Sequence, residues 1–125
     1  MKILIIDDDV LLRRTVARLL VADGHDVVTA PDGVRGMVVF HQEQPELVIT
    51  DIVMPGQEGL ETIMALRRVG TPVKIIAISG RDAEMLEMAR LIGADDAIQK
   101  PFRAHELVSR VRALIEAPYD SGVTS

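Results

Sequence analysis

The sequence predicts an α/β domain built on a five-stranded parallel sheet with helices on both faces. Two observations predict it. Short apolar runs alternate five times with stretches in which apolar residues recur at helical spacing. The runs themselves show no in-and-out alternation, which marks strands covered on both sides rather than strands with one wet face. With 125 residues, 48% of them apolar, the chain suits one domain with a sizeable core and leaves little room for a second.

The elements follow in order. Ile3 to Ile6 is a continuous apolar run stopped by acids and reads as the first strand. Leu12, Val16, Leu19 and Leu20 recur at helical spacing, and Gly24 ends that helix. Asp26 to Ala30, centred on Val27, Val28 and Thr29, is the second strand. Val34, Met37, Val38 and His41 mark the second helix. Leu47 to Thr50 is the third strand and runs into Asp51. Leu60, Ile63, Met64 and Arg67 begin the third helix, and Val73 to Ser79 is an isoleucine-rich fourth strand. Met85, Met88, Ala89 and Ile92 give the fourth helix, and Ala97 to Gln99 a short fifth strand. Leu107, Val108, Val111, Leu114 and Ile115 give the fifth helix. Met37, Met64, Met85 and Met88 read as core filler. Residues 118–125 lack periodicity and read as a flexible tail, so the domain is expected to span residues 1–117.

Composition narrows the function classes. A formal net charge of -5 disfavours phosphate backbones and anionic lipid, so neither direct nucleic-acid binding nor membrane contact is expected. The absence of cysteine excludes disulfides and thiolate chemistry and fits a reducing compartment. No apolar run approaches bilayer length. Met1 to Ile6 leads straight into acids without a small-residue cleavage site, so a signal peptide is not expected. The expected location is the cytoplasm.

In an open parallel sheet, ligands bind at the carboxyl ends of the strands. After the first strand come Asp7, Asp8 and Asp9; the third ends in Asp51; the fourth ends in Ser79-Gly80; the fifth is followed by Lys100-Pro101. Carboxylates pressed together repel, and a hard divalent cation such as magnesium relieves the repulsion through oxygen ligands. A lysine and a hydroxyl opposite them suit a bound phosphoryl group, and an aspartate carboxylate can itself attack phosphorus. Each residue also has a plainer reading. The Asp7-Asp8-Asp9 run reads as a solvated loop or helix cap, Asp51 as a turn residue before Pro55-Gly56, Ser79 as a helix cap, and Lys100 as a surface lysine. His25, His41 and His105 lie in separate elements and are given no role. The joint occurrence of these groups at four strand ends favours a site.

Four segments carry a family resemblance: Ile3-Leu4-Ile5-Ile6-Asp7-Asp8-Asp9, Asp51-Ile52-Val53-Met54-Pro55-Gly56, Ile78-Ser79-Gly80 and Lys100-Pro101-Phe102, with Gly93-Ala94-Asp95-Asp96 before the fifth strand. In order and spacing they resemble the signature segments of response-regulator receiver domains. The resemblance implies a flavodoxin-like (βα)5 doubly wound fold with strand order 2-1-3-4-5. It implies that Asp51 is the phosphoacceptor of a two-component phosphorelay. The phosphoryl group would come from a sensor histidine kinase or a histidine phosphotransfer protein, and the change would be read by a downstream protein. It implies Mg2+ held directly by Asp8, Asp51 and the backbone carbonyl of Val53, and by Asp7 through a water. Lys100 would pair with Asp51 at rest and with the phosphoryl group afterwards, and Ser79 would hydrogen-bond a phosphoryl oxygen. Such a receiver is a signalling domain rather than an enzyme, although it promotes its own phosphorylation and dephosphorylation. The Lys100–Pro101 peptide is often cis in the family.

The chain departs from the family pattern at two points. Ala97 occupies a position where many receivers carry an aromatic switch residue, and Arg103 stands where a side-chain cap for the fifth helix is often found. Val53 and Arg81, two residues past Asp51 and Ser79, offer no base for an attacking water, which predicts a long-lived aspartyl phosphate. A competing reading is an aspartate-nucleophile phosphatase of the haloacid-dehalogenase-like type. Its motif usually has a second Asp two residues after the nucleophile, where this chain has Val53, and no cap insertion is present to enclose a substrate. A pseudo-receiver that only binds partners is opposed by the intact set Asp8, Asp51, Ser79 and Lys100.

Overall fold

The computed structural model describes residues 1–54, 57–80 and 83–116, and for 53, 54, 57 and 58 the backbone alone. Five strands, β1 Lys2–Ile6, β2 Asp26–Ala30, β3 Leu47–Asp51, β4 Lys74–Ser79 and β5 Asp96–Gln99, form one parallel sheet in the order β2-β1-β3-β4-β5. Five helices connect or follow them: α1 Val10–Ala22, α2 Gly33–Glu43, α3 Gly59–Val69, α4 Ala83–Leu91 and α5 Ala104–Glu116. Val53–Met54 and Gln57–Glu58 add a short antiparallel pair just beyond β3. The expected 2-1-3-4-5 sheet is therefore present, with both outer faces covered. The 118–125 tail, Pro55, Gly56, Arg81 and the side chain of Val53 lie outside the described residues.

Successive residues of a strand point to opposite faces, so each strand feeds two cores. Ile3 and Ile5 of β1 join Leu47, Ile49, Ile76, Ile78 and Ile98 beneath Val16 and Leu20 of α1 and Leu107 and Val111 of α5. Leu4 and Ile6 join Val48, Ile75 and Ala77 beneath Phe40 of α2, Ile63 and Leu66 of α3 and Ala89 of α4. Burying each isoleucine or leucine contributes roughly 1.5–3 kcal/mol, and the run Ile3–Ile6, at most 2% exposed, is buried throughout. This double burial is why the strands read as unbroken apolar runs.

Two expectations about the helices need correction. In α2 Val34 and Val38 do not face the sheet: Val34 is 65% and Val38 53% exposed, while Gly33, Gly36 and Phe40 are buried. Gly36 explains the rotation, because a Cβ there would lie 2.4 Å from the Ile6 side chain. The helix turns its glycines inward to approach β1 closely, at the expense of Val34 and Val38. The methionines divide as well. Met37 and Met85 pack against the core, whereas Met64 and Met88 are exposed.

The ends of the helices obey local chemistry. Asp9 caps α1 by accepting from the Leu12 N–H at 3.1 Å, and Asp32 caps α2 by accepting from Arg35 at 2.8 Å. Gly24, at φ +94°, turns the chain out of α1 into β2, a conformation that glycine adopts without strain. Arg103 stands just before α5, and its carbonyl accepts from the N–H groups of Glu106 and Leu107.

Candidate functional site

The strand ends bring the predicted residues together. Asp7 follows β1 and is 2% exposed; Asp51 ends β3 at 4%; Ser79 ends β4 at 0%. Asp8 is exposed beside them. One carboxylate oxygen from each of Asp7, Asp8 and Asp51 lies within 4.8 Å of the other two. Lys100, one residue past β5, donates to Asp51 Oδ2 at 2.8 Å and reaches Asp7 Oδ2 at 3.3 Å. Its backbone N–H donates to the Ser79 carbonyl at 2.8 Å, which ties the end of β5 to the end of β4. The Lys100–Pro101 peptide is cis. An open depression of about 490 Å3, lined by Asp9, Leu12, Gly80, Lys100, Pro101 and Phe102, adjoins the lysine.

The three consecutive acids have three different environments. Asp9 is the helix cap of the plainer reading. Asp7 is buried and held at every polar group: its N–H donates to Ala30, its carbonyl accepts from Arg13 Nη1 at 2.8 Å, Oδ1 accepts from the Asp9 N–H at 2.9 Å, and Oδ2 faces Lys100. Burial pushes the Asp7 carboxyl above its ordinary range; the Asp9 N–H and Lys100 pull it back, and the neighbouring Asp51 charge pushes it up again. For Lys100, burial works against the charged form, but the hydrogen bond to Asp51 and the charges of Asp7 and Asp51 outweigh it and raise its pKa.

Ser79 is not the cap of α4, since it is fully buried at the end of its strand and α4 begins at Ala83. Val53 opens the short strand two residues past Asp51. Ala97 is buried on β5, where its small side chain joins the core beneath α4.

Sequence reasoning missed Gly59, the first residue of α3. A Cβ on it would stand 2.2 Å from the Asp51 carbonyl oxygen and 2.4 Å from Ile52 Cα. Only glycine lets α3 start directly against the Asp51–Ile52 peptide and so hold the acid at the strand end. The available signal was a glycine opening a helix where the strand-to-helix turn had already been made.

The donor set suits a hard divalent cation. It is composed entirely of carboxylate oxygen, the groups are clustered closely enough to share an ion, and Asp8 leaves one side open for water ligands.

The fold and this edge define a class: a doubly wound α/β domain with an acid cluster and a lysine at the carboxyl ends of its central strands. Comparison with known proteins gives the family. The response regulator receiver domain model matches residues 3–112, and the chain belongs to that family. It is 37% identical over 116 residues to the response regulator MprA of Mycobacterium avium, covering 92% of this chain and 51% of that protein. The chain thus spans about half the length of the curated relatives it matches. Among solved structures, the signal receiver domain of a Bermanella marisrubri response regulator superposes with a TM-score of 0.85 at 32% identity, covering 92% of this chain and 98% of that one. The Vibrio cholerae chemotaxis protein CheY4 gives a TM-score of 0.84 at 25% identity, covering 90% and 96%. The chain is accordingly a receiver of two-component signalling, a phosphoacceptor domain, and the phosphatase alternative finds no support. No described helix is long and apolar enough to cross a membrane.

Proposed function

We propose that Asp51 is the phosphoacceptor, that Asp7, Asp8 and Asp51 with the Val53 carbonyl hold Mg2+, Asp7 through a water, and that Lys100 and Ser79 contact the phosphoryl group. The observation that carries this reading is the bridging position of Lys100, 2.8 Å from Asp51 and 3.3 Å from Asp7, at the rim of a three-carboxylate cluster. The resting ammonium marks where a phosphoryl group on Asp51 finds its counter-charge. A carboxylate oxygen of Asp51 attacks the phosphorus of a phosphohistidine on a sensor kinase or phosphotransfer protein. The O–P bond forms as the N–P bond breaks, and the imidazole leaves with the electron pair and takes up a proton. Magnesium, when bound, supplies neutralisation of the phosphoryl oxygens. Lys100 follows the new charge, and Ser79 donates its hydroxyl hydrogen bond to a phosphoryl oxygen.

On this reading the receiver occupies residues 1–117, works in the cytoplasm, promotes its own phosphorylation and dephosphorylation, and passes its state to a downstream protein partner. Incubation with acetyl phosphate and magnesium followed by intact-mass measurement tests it. The parent is expected to gain one phosphoryl group, chelation to prevent the gain, and Asp51→Asn to show none. A full gain in Asp51→Asn moves the acceptor elsewhere and ends the assignment.

A further inference from the structure

We infer that Arg13 is a positioning residue for Asp8, acting through the backbone rather than by touching the reacting groups; the inference rests on the magnesium reading above. Asp8 is the exposed member of the cluster, and its side chain makes no hydrogen bond or ion pair among the described residues. Its aim is therefore set by the two peptides on either side of it, and both are pinned. The Asp8–Asp9 peptide is held by the Asp9 N–H, which donates to Asp7 Oδ1 at 2.9 Å. The Asp7–Asp8 peptide is held by its carbonyl, which accepts from Arg13 Nη1 at 2.8 Å. Without Arg13 one of the two clamps is gone, and Asp8 becomes free to swing about the remaining one.

The location of Arg13 is a second, independent observation. It lies in the N-terminal part of α1, four residues after the cap Asp9, and its own N–H bonds the Asp9 carbonyl at 2.9 Å. A cation at that end opposes the helix macrodipole, which favours acids there, and the first turn of α1 carries none. Helix chemistry thus gives no reason for an arginine at this position. Its planar donor group folded back onto the Asp7 carbonyl does give one. The neighbouring Arg14 points into solvent and serves as the control.

Groups that orient metal ligands typically cost tenfold or more in metal affinity when removed. The test is calorimetric titration of Mg2+ into the full chain, comparing the parent with Arg13→Ala, Arg13→Gln and Arg14→Ala, alongside thermal melts of each without metal. Arg13→Ala is expected to weaken magnesium binding about tenfold. Arg13→Gln, which keeps an N–H donor without the charge, is expected to recover part of that loss, and Arg14→Ala to bind like the parent. The rate of phosphorylation by acetyl phosphate in Arg13→Ala should return to within about twofold of the parent at saturating magnesium, because only the aim of a ligand has changed. If Arg13→Ala proves unfolded, Arg13→Met, which keeps the stem but no donor, decides in its place. Parent-like affinity in the folded donor-free variant overturns the inference and leaves the magnesium reading intact. Failure of the parent itself to bind magnesium overturns both.

Discussion

The two edges of the sheet carry charge in opposite styles. At the amino edge several acids are matched by cations. Lys2 pairs with Glu43 at 3.0 Å, Arg67 with Asp95 at 2.9 Å, and Arg110 with Asp96 at 2.7 Å. Arg67 is the centre of that edge: it also donates to the carbonyls of Gly93 and Val73, while Asp95 Oδ2 accepts from the Ile75 N–H at 2.8 Å. At the carboxyl edge three acids cluster, two of them buried and paired with Lys100. The amino edge satisfies its own hydrogen bonds and charges. The carboxyl edge leaves carboxylates with less neutralising charge around them; burial, and to a lesser extent the Asp51 charge, push the Asp7 carboxyl upward.

The comparison is broken most severely by a change that involves no charge. Gly59→Ala forces a methyl group into the Asp51–Ile52 backbone, where no flexible side chain can yield. A loss of about 3 kcal/mol is expected without magnesium, as read by urea unfolding in chelator. A loss below about 1 kcal/mol would show that α3 can back away from the strand end.

Arg67→Ala tests the matched edge. It strands two carbonyls and the Asp95 carboxylate at a half-exposed position, so a loss of about 2 kcal/mol is expected. Magnesium should leave that loss unchanged. A magnesium-dependent difference between this variant and the parent would mean that the two edges are coupled.

Asp7→Asn tests the carboxyl edge and has the opposite sign. The folded chain keeps a proton on Asp7 at pH values where the unfolded chain has already released it. Stability therefore falls as pH rises from the ordinary carboxylate value through the raised one, and stays lower above it. Without metal at neutral pH, Asp7→Asn is expected to be more stable than the parent by about 1 kcal/mol. The gap should close as pH is lowered through that window. Added magnesium should stabilise the parent more than the variant, which keeps the direct ligands. Unfolding in chelator across a pH series reads this, and a variant less stable than the parent at neutral pH would refute this account of the edge.

The fold was legible because double burial writes itself into the strands as unbroken apolar runs, and Ile3–Ile6 shows this most plainly. The face of α2 was not legible. A glycine that approaches the sheet carries no hydrophobic signal, so Gly36 and Gly33 were outvoted by Val34 and Val38, which face water. Arg67 read only as one of the residues that mark the third helix because its partners, Gly93, Val73 and Asp95, come from other parts of the chain. In the site, Asp51 and Lys100 could be found from their places at strand ends. Residue type and spacing alone did not separate the three consecutive aspartates, and only the family resemblance gave Asp7 and Asp8 different roles, since Ala30, Lys100 and Arg13 decide which is buried, and Leu12 decides which is the cap.

Lys100 has a mechanical consequence. Its Cα follows the outermost strand, β5, yet its ammonium reaches over the end of β4 to Asp51 on β3 and on to Asp7 beyond β1. Two strand spacings separate β5 from β3, roughly 10 Å. The side chain is thus a tether strung from the rim of the sheet to its middle, anchored at the rim by the Ser79 carbonyl. One side chain thus gives Asp51, near the middle of the sheet, a direct physical connection to the loop that leads into α5 at its rim.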